Sequence, residues 1–238
     1  MDLILKNKIA NLIQSKVLID EPLKRHTTFG VGGSASIFVY PNNKEDLIKL
    51  LKFISKEKIK IFFMGSGSNL LISDNGFDGV IISLKKSFKN FEVNDSLEAK
   101  IGTGVMLGHM VRALTKKSVS GLESLIGVPG TLGGALIMNA GAYGNEISNY
   151  LVSITVIDLN KNEKIYNKKD INFSYRFSSI SKEEIVIEAN FQFKKGDLEE
   201  IIQNKSNASQ KRRSSQPLQF RSAGSIFKNP QSGMAAGY

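Results

Sequence analysis

Gly65-Ser66-Gly67-Ser68-Asn69-Leu70-Leu71 stands directly behind Ile59–Met64, a short apolar run that reads as a buried strand. Glycines let a chain turn with positive φ and let backbone N–H groups approach a ligand with no Cβ in the way. Consecutive N–H groups in such a turn form an anion nest, and Ser66, Ser68 and Asn69 add side-chain donors. A diphosphate is the natural guest. An ordinary tight loop at a strand end is the other reading of this segment taken alone. The segment is not a Walker loop, because no Gly-Lys-Ser/Thr follows at the required spacing. Nor is it the Gly-x-Gly-x-x-Gly fingerprint: position 70 is Leu, which disfavours a Rossmann fold.

Gly127-Val128-Pro129-Gly130-Thr131-Leu132-Gly133-Gly134 forms a second loop of the same kind. It runs on into Ala135-Leu136-Ile137-Met138-Asn139-Ala140-Gly141-Ala142-Tyr143-Gly144. Such small residues let a helix start sit close against a phosphate or a flat ring. They also suit close packing of a helix on a sheet. Two such loops in one chain favour a shared ligand, a long dinucleotide whose diphosphate both approach.

Outward from these loops, residues 44–58 read as an amphipathic helix with Leu47, Leu50, Leu51 and Ile54 on one face. Val80–Leu84 reads as a strand. Residues 85–100, with Phe88 and Phe91 among polar neighbours, read as a hairpin or loop and a seam between lobes. Met106–Lys117 reads as a helix with Met106, Met110, Val111 and Leu114 on its apolar side. Val152–Leu159, Lys164–Tyr166 and Ile185–Phe193 are β-branched enough for strands. Gly196–Lys211 has a helical start, with Asp197 as cap and Leu198, Ile201 and Ile202 inward. Helices and strands that do not alternate strictly argue for α+β with at least two lobes. The expected divisions are 1–84, 85–193 and 194–238.

At 238 residues, with 41% hydrophobic, the chain has room for a real core. No apolar run approaches the ~20 residues of a membrane span, and Met1-Asp2-Leu3-Ile4-Leu5-Lys6 does not read as a signal peptide. With no cysteine there are no disulfides, thiolate metal sites or cysteine nucleophiles, which fits a cytoplasmic location. His26 and His109 cannot build a metal site alone. The chemistry therefore falls to a cofactor or to Ser, Arg, Lys and carboxylates. The net charge of +10 admits nucleic-acid binding, a polyanionic small molecule, or lysines scattered over a solvated surface.

The chain resembles the UDP-N-acetylenolpyruvoylglucosamine reductase family, the MurB type. The segments that carry the resemblance, in order, are Thr27-Thr28-Phe29-Gly30-Val31-Gly32-Gly33, Gly65–Leu71, Ile126–Gly144, Phe173-Ser174-Tyr175-Arg176 and Ser222-Ala223-Gly224-Ser225-Ile226-Phe227-Lys228-Asn229-Pro230. The resemblance implies an α+β fold: a two-lobed FAD-binding domain of the vanillyl-alcohol-oxidase (PCMH) type, then the start of an α/β substrate domain from about residue 194. It implies FAD held by Gly65, Ser66, Gly67, Ser68, Asn69, Leu70, Pro129, Gly130, Thr131, Gly133, Gly134, Asn139, Gly141 and Ala142, with no metal. The implied reaction is reduction of the enolpyruvyl group of a UDP-sugar by NADPH through the flavin, an early cytoplasmic step of peptidoglycan synthesis. A monomer acting on small molecules, with no nucleic acid and no membrane as partner, is expected.

Hydride arriving at the terminal CH2 of an enolpyruvyl ether leaves negative charge at C2, delocalised into the neighbouring carboxylate. A pre-placed cation stabilises that charge best where water is excluded, and arginine offers a permanently charged planar fork. Arg176 matches the family's catalytic arginine. Ser225 matches the residue that protonates C2; a hydroxyl is a weak acid and serves only a strongly basic carbanion. The interval between them resembles the short-spacing subclass, so no additional tyrosine is carried over. The family's chains run on beyond the point where Met234-Ala235-Ala236-Gly237-Tyr238 ends this sequence, and supply a further acidic residue that neither Glu188 nor Glu199 matches. A fragment of a longer product is expected, with the stretch after residue 194 loosely ordered. Other readings are a different FAD-dependent oxidoreductase of the same fold, an FAD-binding remnant, or a basic nucleic-acid module built on Lys205 and Lys211-Arg212-Arg213. The last has no interleaved aromatics to support it.

Overall fold

The computed structural model describes residues 1–230, which build two main sheets with helices on their faces. The first lobe contains α1 (Leu3–Leu12), β1 (Lys16–Pro22), β2 (Ser34–Tyr40), α2 (Lys44–Lys56), β3 (Ile61–Phe63) and β4 (Phe77–Ile82). Its sheet runs β1-β2-β4-β3; β1 is antiparallel to β2, and β2, β4 and β3 are mutually parallel. Helix α2 starts where Asn43 accepts the Asp46 N–H, with Glu45 and Asp46 in the first turn. Leu47, Leu50, Leu51 and Ile54 are all buried, as their spacing predicts. The strand expected at Ile59–Met64 is shorter and is not fully buried. As the last strand of the sheet it has one neighbour only, and Phe62 stays 38% exposed.

The second lobe contains β5 (Phe91–Val93), β6 (Glu98–Gly102), α3 (Leu107–Lys116), β7 (Val119–Ser120), α4 (Leu132–Ile137), β8 (Gly141–Ala142), β9 (Asn145–Glu146), β10 (Leu151–Asp158), β11 (Glu163–Asn167), β12 (Phe173–Ser174), β13 (Phe177–Ser178) and β14 (Glu184–Gln192). Its main sheet is antiparallel throughout, in the order β11-β10-β14-β6-β5. Strands expected at 152–159, 164–166 and 185–193 are β10, β11 and β14. Met110, Val111 and Leu114 are buried on α3, but Met106 is not on that face. It has extended backbone and caps the helix, so its side chain leaves the stripe and is 41% exposed.

After β14, β15 (Lys194–Lys195) pairs with β7, and α5 (Leu198–Ser215) lies against the turn at Glu123–Gly127 and against α3. The loose order expected after residue 194 is therefore not found through Ser215. The Asp197 carboxylate accepts the Glu200 N–H at 3.0 Å, and Ile201 and Ala208 are buried. Leu198 and Ile202, expected inward, are exposed. The helix lays one narrow face on the second lobe, and that face passes through Ile201 and not its neighbours. Residues Gln216–Pro230 continue as an exposed, irregular arm.

One of the three core clusters is shared between the two lobes. Ile157 at the end of β10 and Ile185 and Ile187 of β14 pack in one cluster with Ile9, Ile37, Leu47, Leu51 and Val80. A second cluster fills the space between the large sheet, α3 and α4. Among the described residues no helix is long and apolar enough to cross a membrane, and no group of His, Asp and Glu could hold a metal ion.

Candidate active site

The first glycine loop leaves β3 at the sheet end where β4 also stops. Ser83, buried just past β4, donates its hydroxyl to the Gly65 carbonyl at 3.1 Å, and Gly67 O accepts the Thr28 N–H at 3.1 Å. The loop is thus pinned through its carbonyls. Among the described residues, the N–H groups of Ser66, Gly67, Ser68 and Asn69 have no protein acceptor.

The second loop meets the first directly. Ser68 Oγ donates to Pro129 O at 3.0 Å. A Cβ built on Gly65 would fall 2.6 Å from Thr131 Oγ1, so any side chain there would force the loops apart. Thr131 is buried and caps α4 through the Gly134 N–H; Gly133 N–H donates to Thr103 O at 3.0 Å. The N–H groups of Gly130 and Thr131 are again without a protein acceptor among the described residues. Neither Gly65–Leu71 nor Gly127–Gly134 contains an acidic residue. A junction of unpaired amides with no carboxylate in either loop fits a diphosphate, which is the fit a dinucleotide such as FAD requires.

Arg176 lies in the two-residue turn of the short β12–β13 hairpin, with φ +55°, and is half-buried. Two two-residue strands cannot hold a hairpin by themselves. The stretch that follows the second loop holds it. Ser178 Oγ donates to Ile137 O at 2.9 Å, Asn139 Nδ2 to Ser174 O at 3.1 Å, and Arg176 Nη2 to Gly141 O at 2.9 Å. The guanidinium also lies 5.0 Å from the Tyr175 ring centroid. Helix α4, six residues and so about 9 Å long, sets the distance from the loop junction to the hairpin.

The remaining sequence candidates fall in four places. Leu70 closes the first loop. Gly141 and Ala142 form β8, beside the hairpin. Asn139 is fully buried, with its Nδ2 also donating to Glu146 Oε2 at 2.7 Å and its Oδ1 without a partner among the described residues. Ser225 lies on the exposed arm, and no hydrogen bond among the described residues links it to Arg176. The arm is fastened instead to the first lobe. Thr28 Oγ1 donates to Ser222 O at 2.6 Å, and the Arg221 side chain covers Gly30.

Sequence reading missed Glu146, Ser178 and Thr28 as parts of this framework. Thr28 lies in a segment already singled out, but nothing in its spacing announces a bond to residue 222. Arg212, read as part of a basic nucleic-acid module or a solvated basic face, packs its side chain against Gly127, and burial lowers its pKa while Tyr143 opposes that shift.

A model of the FAD binding domain family matches residues 35–165, more than half of the chain. UDP-N-acetylenolpyruvoylglucosamine reductase of Caldanaerobacter subterraneus subsp. tengcongensis is 37% identical over 229 residues, which are 95% of this chain and 75% of that protein. The Clostridioides difficile protein of the same name is 39% identical over 225 residues, 94% of this chain and 74% of its own. The crystal structure of UDP-N-acetylenolpyruvylglucosamine reductase (MurB) from Thermus caldophilus superposes with a TM-score of 0.77 at 28% identity, covering 91% of this chain and 75% of that one. The 4-ethylphenol oxidase of Gulosibacter chungangensis shares the fold, with a TM-score of 0.61 at 16% identity over 80% of this chain and 42% of its own. The α+β, PCMH-type expectation agrees with these likenesses. On the identity and coverage of its relatives, this chain belongs to the UDP-N-acetylenolpyruvoylglucosamine reductase family.

Proposed function

We propose that the chain is an FAD-containing, NADPH-dependent reductase of the enolpyruvyl group of UDP-N-acetylglucosamine enolpyruvate, giving UDP-N-acetylmuramate for peptidoglycan synthesis. The single observation that carries the reading is the meeting of the two glycine loops at Ser68 and Pro129, with unpaired amides on both. Bound FAD supplies the relay of hydride from NADPH to the enolpyruvyl double bond. The protein's part is to hold and to polarise. The amides of Ser66, Gly67, Ser68, Asn69, Gly130 and Thr131 take the cofactor's diphosphate. Arg176 holds the substrate carboxylate and stabilises the charge that develops on it. Its turn is fixed in advance, so little reorganisation is needed at that moment. Ser225 gives the proton to C2 once the arm brings it over the site.

The boundary at 84 separates the two cofactor-binding lobes, and the one at 193 divides cofactor binding from substrate binding. The protein works on small molecules as a cytoplasmic monomer, with neither nucleic acid nor membrane as partner.

Anaerobic stopped-flow absorbance tests this reading. NADPH is expected to bleach the flavin, and the enolpyruvyl UDP-sugar to restore its colour. Flavin that regains colour only when oxygen is admitted would point to an oxidase of the same fold.

A further inference from the structure

Gly141 has two side chains passing over its bare Cα. A Cβ there would lie 2.9 Å from Glu146 Cγ and 3.4 Å from Arg176 Nη1. The Glu146 side-chain stem and the Arg176 guanidinium thus both lie beside Gly141, with Asn145 O nearer still at 2.7 Å. Yet among the described residues Arg176 makes no ion pair. The Glu146 carboxylate is turned to Asn139 Nδ2 instead, at 2.7 Å.

Asn139 is built for this task. It is fully buried and sits in the left-handed region at φ +40°. Its amide nitrogen lies between a carboxylate and a backbone carbonyl, Glu146 Oε2 and Ser174 O. Both are acceptors, which fixes which end of the amide faces them. Ser174 is the second residue before Arg176, on the strand that leads into its turn.

We propose that Asn139 is a positioning residue for Arg176. It occupies the Glu146 carboxylate, so that the guanidinium is left unpaired for an incoming carboxylate, and it fastens the hairpin through Ser174. The inference rests on the proposed role of Arg176 in binding the substrate's carboxylate. A freed Glu146 would compete with that ligand as an internal anion. Removing the Asn139 amide should therefore weaken substrate binding, and removing the Glu146 charge as well should restore it.

The experiment uses the flavin-loaded protein in four forms: unchanged, Asn139→Ala, Glu146→Gln and the double variant. Flavin content is checked by absorbance. Asn139→Ala is expected to raise KM for the enolpyruvyl UDP-sugar about tenfold, measured on flavin-replete protein and normalised to flavin content. The double variant is expected to return KM to within about threefold of Glu146→Gln alone. A double variant as impaired as Asn139→Ala overturns the proposal, because a merely structural defect is not rescued by neutralising a neighbour. Asn139→Ser, whose hydroxyl satisfies only one of the two acceptors, replaces Asn139→Ala should that variant not retain flavin.

A crystal structure of the single variant gives a readout independent of turnover. An Arg176–Glu146 ion pair within about 4 Å is expected; an Arg176 left unpaired there overturns the proposal. Failure of the unchanged protein to re-oxidise with the sugar would instead strike the functional reading, and the crystal result would still decide the pairing.

Discussion

The Arg176 hairpin and the Ser225 arm carry the two candidate catalytic groups, and they are held in opposite ways. The hairpin is two residues a side, yet three hydrogen bonds fasten it to Ile137, Asn139 and Gly141. The arm is exposed, and Thr28 ties it to the other lobe through Ser222. Ile226 and Phe227 on the arm are 88% and 72% exposed. Charge stabilisation gains most from a group that does not move, whereas a proton donor can arrive with its segment. The difference teaches that the rigid half of the site is built from the cofactor lobes alone.

The largest expected effect is at the hairpin. Arg176→Ala should lower kcat for the enolpyruvyl sugar about 10²–10³-fold, while flavin bleaching by NADPH continues; steady-state and half-reaction rates separate the two. A loss of only a few-fold would break the comparison, because the fixed cation would then contribute little. Ser178→Ala removes one fastening of the hairpin. It should cost about 1 kcal/mol of stability, seen in denaturant titration, and raise KM several-fold with little change in kcat. The smallest effect belongs to the arm. Thr28→Val should leave the melting temperature almost unmoved and increase amide exchange across 216–230, measured by mass spectrometry, with exchange in 173–178 unaltered. Equal responses in both segments would show that arm and hairpin move together.

Much of the fold was legible because it is local. The Leu47–Ile54 stripe, the Asp197 cap and the β-branched runs of β10 and β14 depend on neighbours in sequence. The misreadings at Met106, Leu198 and Ile202 are boundary effects, where a cap or a narrow contact face redirects one side chain. The order of strands, which makes β3 an edge, depends on pairing between distant segments and leaves no periodic trace. In the site, the two glycine loops announced themselves by composition, but not that Ser68 would touch Pro129. The Asn139–Glu146–Ser174 arrangement was illegible for the same reason. Asn139 read as a ligand contact, and only the turn after Gly141 brings Glu146 back to it.

The isoleucines at 157, 185 and 187 belong by sequence to the large sheet, and by packing to the helical layer of the small one. That shared cluster is expected to couple the unfolding of the two halves. Parting the halves on a hinge would expose those isoleucines, so the Ser68–Pro129 junction is expected to keep its spacing as ligands bind. Entry and exit then fall to the periphery, where Gln216–Pro230 already lies in solvent.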